Sequence, residues 1–429
     1  MSNGAHGRRT ALKLAAGLSA AVILTGLASC SAGSGGDAGG DVTIEFAQWW
    51  APELPEGAFQ GLIDQFEKEN PGIKVELLSG PYASTKEQLF AGAASGTMSD
   101  VVGLDGAWVS DFAKQGAITD LTALMKEQGM DDSDLASQIQ INGATYMIPV
   151  VNFVYPMFTN TDLLAQAGID AVPTTRTEFE TAAKAITNLG TASGWVLPLS
   201  LEAPNGIQND VMSWNWASGG SMLTADGKPD LTNSDVEGTV DYVKGLWDDG
   251  VIAPGSFTMK EQDKVEEFTN GRVGMMIDSL SHINLIQENN PDLKFDISAI
   301  PAEDGYEGAR GIPYASWGIG VSDSSEHKAE ALKLVQFLMS TDVNSQLSTI
   351  ANAFPGNKQS TPEFGDGKEL FEKAFEIYKS GYPANEFTGL PVAEDLMRQF
   401  DTEFQKVLSG DGTVKDMLST VQDSWTKEF

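Results

Sequence analysis

The stretch Ile148-Pro149-Val150-Val151-Asn152-Phe153-Val154-Tyr155-Pro156-Met157-Phe158 constrains this chain more than any other. It is apolar almost without break and rich in β-branched and aromatic residues, so it reads as extended and buried. It is also far shorter than the ~20 residues a bilayer span needs. Proline has no N–H to give to a central ladder, so Pro149 and Pro156 are expected where the chain leaves one sheet and enters another. The stretch therefore reads as a crossing between two lobes. A chain of 429 residues holds enough material for two cores.

On either side of this crossing, strands alternate with amphipathic helices. Residues 42–46 read as a strand, and Phe59, Leu62, Ile63 and Phe66 fall on one face of a helix that Asn70-Pro71-Gly72 ends. A strand at 73–78, a helix at 84–94 and a strand at 100–104 complete a βαβαβ order, which predicts a mostly parallel sheet covered by helices. Beyond the crossing, Thr175 with Glu178 and Ser234 with Glu237 are spaced as capping boxes, and Gly250 closes the second helix. Residues 311–321 read as a second extended crossing and Phe354-Pro355-Gly356 as a third. A helix over 327–340 lies between them, and helices at 394–408 and 414–428 are expected on the second lobe.

Several runs of this sequence resemble the family of extracellular solute-binding proteins that serve carbohydrate ABC importers. They are Phe66-Glu67-Lys68-Glu69-Asn70-Pro71-Gly72-Ile73-Lys74-Val75, then Gly96-Thr97-Met98-Ser99-Asp100-Val101-Val102, and Asn160-Thr161-Asp162-Leu163-Leu164 with Gly168-Ile169 and Pro173-Thr174-Thr175. Phe268-Thr269-Asn270-Gly271-Arg272-Val273-Gly274-Met275-Met276 is similar to the family strand that re-approaches the ligand cleft. The Gly-x-Trp that usually follows is replaced by Ser279-Leu280-Ser281. The resemblance implies a periplasmic-binding-protein-like α/β fold: two lobes with mostly parallel sheets, joined by a three-segment hinge. It places residues 42–151 and 317–355 in the first lobe and 152–316 and 356–429 in the second. It further implies a permease as protein partner, a monomeric receptor, and neither cofactor nor metal.

The N-terminus is consistent with export. Residues 1–29 carry Arg8, Arg9 and Lys13 but no acid, and an apolar core over 14–27 precedes Leu27-Ala28-Ser29-Cys30. Small residues before the only cysteine resemble a bacterial lipobox, which would make Cys30 the lipidated first residue of a protein anchored on the outer face of the cytoplasmic membrane. Arg8-Arg9-Thr10 is also similar to a twin-arginine signal, so two export routes stay open. Residues 30–41, rich in Gly, Ser and Ala, read as a tether. With 60 acids against 27 bases the formal net charge is −33. Such a surface repels nucleic acid and anionic lipid, which leaves the lipid anchor as the only membrane contact.

The reactive chemistry is sparse. Beyond the leader only His282 and His327 remain, and with Cys30 lipidated no thiol is left as nucleophile or soft ligand. No phosphate loop or nucleophile elbow is spelled out. Residues 226–237 resemble a calcium loop in part, but Lys228 and Leu231 stand at positions a ligand and the turn glycine would need, so the segment reads as a polar hairpin. What the chain has is tryptophan, nine in all. A sugar ring presents a flat face of C–H groups that suits an indole, and a rim of hydroxyls that needs carboxylates and amides. Ligands of open α/β sheets bind beyond the carboxyl ends of strands, which selects Trp49, Trp50, Glu53, Tyr82, Asp105 and Trp108 after the early strands. Asn152, Tyr155 and Trp317 are selected on the crossings, Trp214 and Trp216 in a polar loop setting, and Ser279 at the family position.

Each of these residues also has an ordinary reading. If the segment is extended, one of Trp49 and Trp50 must face the core, and Trp214 and Trp216 share a face. Glu53 can be a plain solvated acid and Tyr82 a turn residue, while Asp105 can cap the helix that follows it. The leading expectation is a receptor for an oligosaccharide. A carbohydrate-active enzyme using a carboxylate pair such as Glu53 and Asp105 stays open, as does the same fold serving another solute.

Overall fold

Residues 148–154 of the long apolar stretch belong to the strand Ala144–Val154, second from one edge of a mixed sheet, and the chain leaves that sheet directly afterwards. The computed structural model describes residues 41–364 and 368–429; the leader, Cys30 and nearly all of the tether lie outside them. Twelve strands are described: β1 (Val42–Gln48), β2 (Ile73–Ser79), β3 (Val101–Leu104), β4 (Ile139–Ile141), β5 (Ala144–Val154), β6 (Met157–Asn160), β7 (Ser193–Trp195), β8 (Val273–Ile277), β9 (Phe295–Ser298), β10 (Gly311–Val321), β11 (Phe354–Pro355) and β12 (Tyr382–Ala384). The first sheet runs β11-β5-β10-β3-β1-β2, with β4 beside β5 and β12 beside β10; the second runs β7-β8-β6-β9.

The expected βαβαβ unit is present, since β1 pairs in parallel with both β2 and β3. The sheets as wholes are mixed rather than mostly parallel. β10 pairs antiparallel with β3 and β5, and β6 pairs antiparallel with β8 and β9. The reason lies in the crossings. β5 carries the chain out of the first sheet and β10 brings it back, so the two run in opposite directions as neighbours.

Only one of the two prolines marks a change of sheet. Pro156 sits between β5 and β6, whereas Pro149 lies within β5, opposite Gly318. It is accommodated there because the β5–β10 register slips between Trp317 and Gly318, so the ladder is already interrupted. Gly318 opposite it leaves room for Met147: a Cβ there would stand 2.1 Å from the Met147 methyl carbon and force that side chain to move.

The cores follow the sheets. One apolar cluster joins Ile44, Phe46, Phe66, Val102, Val151, Ile319 and Leu334 around the first sheet. Two others, around Phe179, Trp195 and Phe400 and around Phe158, Phe268 and Ile297, flank the second. The helices Ala393–Leu408 and Val414–Trp425 bury their apolar faces in the second of these clusters, where Phe400 and Phe404 pack with Trp425. The Thr175 capping box forms as spaced. The other does not: Asn233 takes the cap, its Oδ1 accepting from the backbone N–H groups of Asp235 and Val236.

Candidate functional site

A cleft of about 760 Å³ opens between the strands and helices of the two sheets, within the range usual for small-molecule sites. Its first wall starts at the end of β1. Gln48 is buried, donates to Ser79 Oγ at 2.6 Å and accepts from the Ala51 N–H at 2.8 Å. These bonds turn the chain into the short helix Trp50–Glu53 instead of letting it run on extended. Trp49 and Glu53 then line the cleft, and Trp50 turns into the core.

After β3, Asp105 does both things open to it. Oδ1 caps the turn by accepting from the Ala107 N–H at 2.9 Å, and the Tyr82 hydroxyl donates to Oδ2 at 3.2 Å. Both Tyr82 and Asp105 line the cleft. Trp317 completes the wall from β10, its ring stacked at 5.6 Å on Trp50 and set edgewise at 5.0 Å to Phe153, which also faces the cleft. Tyr155, at the crossing, lies between the walls.

The opposite wall is polar. The five-residue π-helical turn Ile207–Val211 presents Gln208 and Asn209, and such turns are frequent at functional sites. Gly206 lets the chain enter this turn, because a Cβ there would fall 1.7 Å from the Pro198 carbonyl oxygen. Asn205, Glu261, Ser279, Ser281, His282 and Asn284 add further hydrogen-bonding groups. Beneath them Lys264 is fully buried; it donates to the Ile277 carbonyl at 2.6 Å and lies 3.3 Å from Asp210 and 3.5 Å from Asp278. Asp278 meets His282 Nδ1 at 2.8 Å.

The charges in the cleft are shifted by this setting. Glu53 is exposed to the cleft but walled by protein, and lost hydration pushes its carboxyl up to about 7, against the pull of Trp317 and His282. Burial also raises Asp105. For His282, burial disfavours the imidazolium, but the adjacent Asp278 carboxylate outweighs it and lifts the ring to about 9. Burial drives Asp210 up to about 8. Asp278 is equally buried, yet His282 and Lys264 hold it below the ordinary value.

Of the residues selected from the sequence, the structure brings Trp49, Glu53, Tyr82, Asp105, Tyr155, Ser279 and Trp317 to the cleft. Trp50, Trp108, Asn152, Trp214 and Trp216 are not there. Trp50 and Trp108 are core residues, Trp108 packing on Trp49 and Tyr82. Asn152 is buried one layer behind, where it accepts from the Ser316 hydroxyl at 2.8 Å. Trp214 and Trp216 lie in the helix Met212–Ala217, not in an extended loop, so residues two apart point to opposite sides. Trp214 packs among Phe179, Trp195 and Tyr242, and Trp216 donates its indole N–H to Glu386 at 2.7 Å. Reading the sequence missed Phe153, Gln208, Asn209, Glu261 and His282. The one available signal was Asn205-Gly206-Ile207-Gln208-Asn209, a glycine among amides just before the tryptophans that drew notice.

Two sheets, joined by crossing strands, flank one polar and aromatic cleft of a size that suits a small-molecule ligand. The chain belongs to the bacterial extracellular solute-binding protein family, whose model matches residues 51–345. A Brucella abortus protein described as a binding protein is 30% identical over 341 residues, covering 79% of this chain and 81% of that protein. Among solved structures, the cyclic α-maltosyl-1,6-maltose binding protein of Arthrobacter globiformis aligns with a TM-score of 0.76 at 21% identity, over 90% of this chain and 99% of that one. The GacH receptor of Streptomyces glaucescens, solved unliganded and with acarbose, aligns with a TM-score of 0.70 at 22% identity, over 90% and 98%.

Proposed function

We propose that this protein is a lipid-anchored receptor that captures an oligosaccharide outside the cytoplasmic membrane and hands it to an ABC permease. The observation that carries the carbohydrate part is the pairing of unlike walls. Trp49, Tyr82, Phe153 and Trp317 form one, while Gln208, Asn209, Ser279, His282 and Asn284 form the other. Aromatic faces suit the C–H faces of a pyranose, and amides, hydroxyls and carboxylates suit its rim. Proteins of the same fold named for an α-glucan ring and for acarbose support the same class of ligand.

The two lobes, 42–151 with 317–355 and 152–316 with 356–429, would move about the three crossings. A ligand touching both walls binds the closed arrangement better and so shifts the population toward it. The lipobox-like run before Cys30 supports the anchor, which Cys30→Ser tests: the variant is expected in the medium, and equal retention on membranes overturns the anchor.

The receptor reading is tested by adding a panel of neutral oligosaccharides to the protein, measuring binding by titration calorimetry and products by chromatography. Binding with no product is expected. Turnover that disappears in Glu53→Gln or Asp105→Asn overturns it in favour of hydrolysis by a carboxylate pair.

A further inference from the structure

We propose that His282 is a specificity-determining ligand contact: the buried Asp278 carboxylate holds its ring through Nδ1, so that Nε2 faces the cleft as a hydrogen-bond donor. The saccharide unit seated there must then offer an oxygen acceptor to that wall. The inference rests on the carbohydrate reading above, and adds to it one fixed donor opposite Glu53.

The geometry is unusual for a residue that merely starts a helix. His282 opens the helix His282–Asn289 and lines the cleft, its side chain about one-third exposed. Behind it Asp278 is fully buried, with Oδ2 at 2.8 Å from Nδ1 and Oδ1 at 3.5 Å from the buried Lys264 ammonium. Lys264 is fixed in turn by the Ile277 carbonyl and by Asp210, which sits on the same π-helical turn as the cleft residues Gln208 and Asn209. Charges are costly to desolvate, and a chain that buries two carboxylates and an ammonium beneath one ring obtains from them a ring of set orientation and set proton count. With Nδ1 committed to Asp278, Nε2 is the nitrogen that meets a ligand.

The charged groups around the ring are Asp278 on its own connection, Glu261 and Lys264 from the helix Glu261–Thr269, and Glu53 from the opposite wall. Burial works against the charged ring, but Asp278 and then Glu261 favour it more, and it titrates at about 9. Below that pH both nitrogens donate, one to Asp278 and one outward. Above it the neutral ring keeps its proton on Nδ1 for Asp278, and Nε2 becomes an acceptor. A ligand ether oxygen that accepts at neutral pH therefore loses its partner on the alkaline side, and a hydroxyl must turn to donate to Nε2, exchanging a charge-assisted bond for a weaker neutral one. Glu53, titrating near 7, acts on the acid side only, so the two limbs are separable.

The experiment is titration calorimetry of the full chain with maltotriose and maltotetraose from pH 6 to pH 10, on the parent, His282→Gln and Asp278→Asn. Thermal unfolding of each is recorded in parallel. In the parent, affinity is expected to fall as pH rises through about 9. His282→Gln is expected to bind roughly tenfold or more weakly at neutral pH, by a loss on the order of one charged hydrogen bond, and to show no alkaline limb. Asp278→Asn is expected to move that limb to lower pH, a shift that a purely structural role would not produce. If Asp278→Asn does not fold, the imidazole resonance of His282 in the parent, assigned by its loss in His282→Gln, decides the same point: a ring titrating near the ordinary 6.5 overturns the inference. So does an affinity and alkaline limb left unchanged in His282→Gln. If the parent binds neither saccharide, nor any other in the neutral panel, the carbohydrate reading falls and takes this inference with it.

Discussion

The two walls of the cleft differ in what holds them rigid. On the first sheet, rings hold rings: Trp49, Tyr82 and Trp108 pack mutually within 5.0–5.5 Å, and Trp317 lies flat on Trp50. On the second, charge holds amides: Asp210, Lys264 and Asp278 anchor the turn and the ring from below, and Gln208 donates to Asn209 at 3.0 Å. A stack of aromatics fixes a surface without specifying where hydroxyls go. An anchored set of amides fixes donors and acceptors but offers little apolar area. A sugar needs both, and the molecule supplies one on each side.

The aromatic wall should give the largest effect on truncation. Trp317 is 5% exposed, so most of its ring is core even though its edge meets the cleft. Trp317→Ala is expected to lose ~3–5 kcal/mol of stability, read by denaturant unfolding. Saccharide affinity should drop roughly tenfold or more with it, and Trp317→Phe should recover much of the stability and little of the affinity. A variant with unchanged unfolding and unchanged affinity breaks the picture of a wall made rigid by stacking.

The polar wall should respond to loss of its buried cation. Lys264→Met leaves Asp210 buried without a counter-charge, while Asp278 keeps His282 at 2.8 Å; breaking a buried pair costs ~3–5 kcal/mol. The low end is expected, because Asp210 already titrates at about 8 and can take up a proton. The sign follows. Asp210 is already raised above its unfolded value and loses its cation, so the stability it affects is kept at low pH and lost as pH rises through its folded value, while Asp278 keeps His282 beside it. Thermal unfolding of Lys264→Met should thus lie closer to the parent at pH 5 than at pH 8. The opposite trend would mean that Asp210 does not share this site with Lys264.

The two walls also differ in how far the sequence reveals them. Trp49, Tyr82, Tyr155 and Trp317 could be selected because tryptophan and tyrosine are scarce and stood at strand ends or crossings, and Glu53 and Asp105 because they are acids just beyond strands. The same reasoning selected Trp50 and Trp108, since the rings that stiffen a platform are of the same type as the rings that form it. Trp214 and Trp216 were drawn in by an extended reading of a segment that is helical. Gln208, Asn209 and His282 were illegible for a different reason. Amides are common on any surface, and what makes these three special is a π-helical turn and a buried lysine 54 residues after Asp210, which no local pattern encodes. The crossings and the alternation of strands and helices were legible from the apolar runs. The antiparallel course of β10 was not, because direction depends on which sheet a returning strand joins.

A milder test of the polar wall is Gln208→Ala, which removes one amide from the cleft and leaves the Asp210 anchor in place. A single neutral hydrogen bond is worth about 0.5–1.5 kcal/mol, so affinity should fall about two- to tenfold with unfolding unchanged. Calorimetry alone separates this from Trp317→Ala, whose loss of affinity comes with a loss of stability. An equal loss of stability in Gln208→Ala would place this residue with the structural groups instead.

The smallest effect is expected where the walls touch. Lys86, on the helix Tyr82–Ser95, pairs with Glu394 at the start of the helix Ala393–Leu408, and among the described residues it is the ion pair that would join the two proposed lobes. Both side chains are about one-third exposed, so water screens them, and such pairs are worth ~0.2–1 kcal/mol. Glu394 also lines the cleft, so the pair stands at its rim and favours the arrangement seen here over one in which the halves have parted. Lys86→Met should therefore shift the balance between open and closed forms by a factor of about five at most. Small-angle scattering without ligand should show a slightly larger mean radius, and the difference from the parent should shrink as salt rises toward 1 M, where charges are screened within about 3 Å. A change in radius that persists at high salt would assign the effect to the Lys86 ammonium over the Phe90 and Trp108 rings, and would make the aromatic wall, not the ion pair, the contact that favours the closed arrangement.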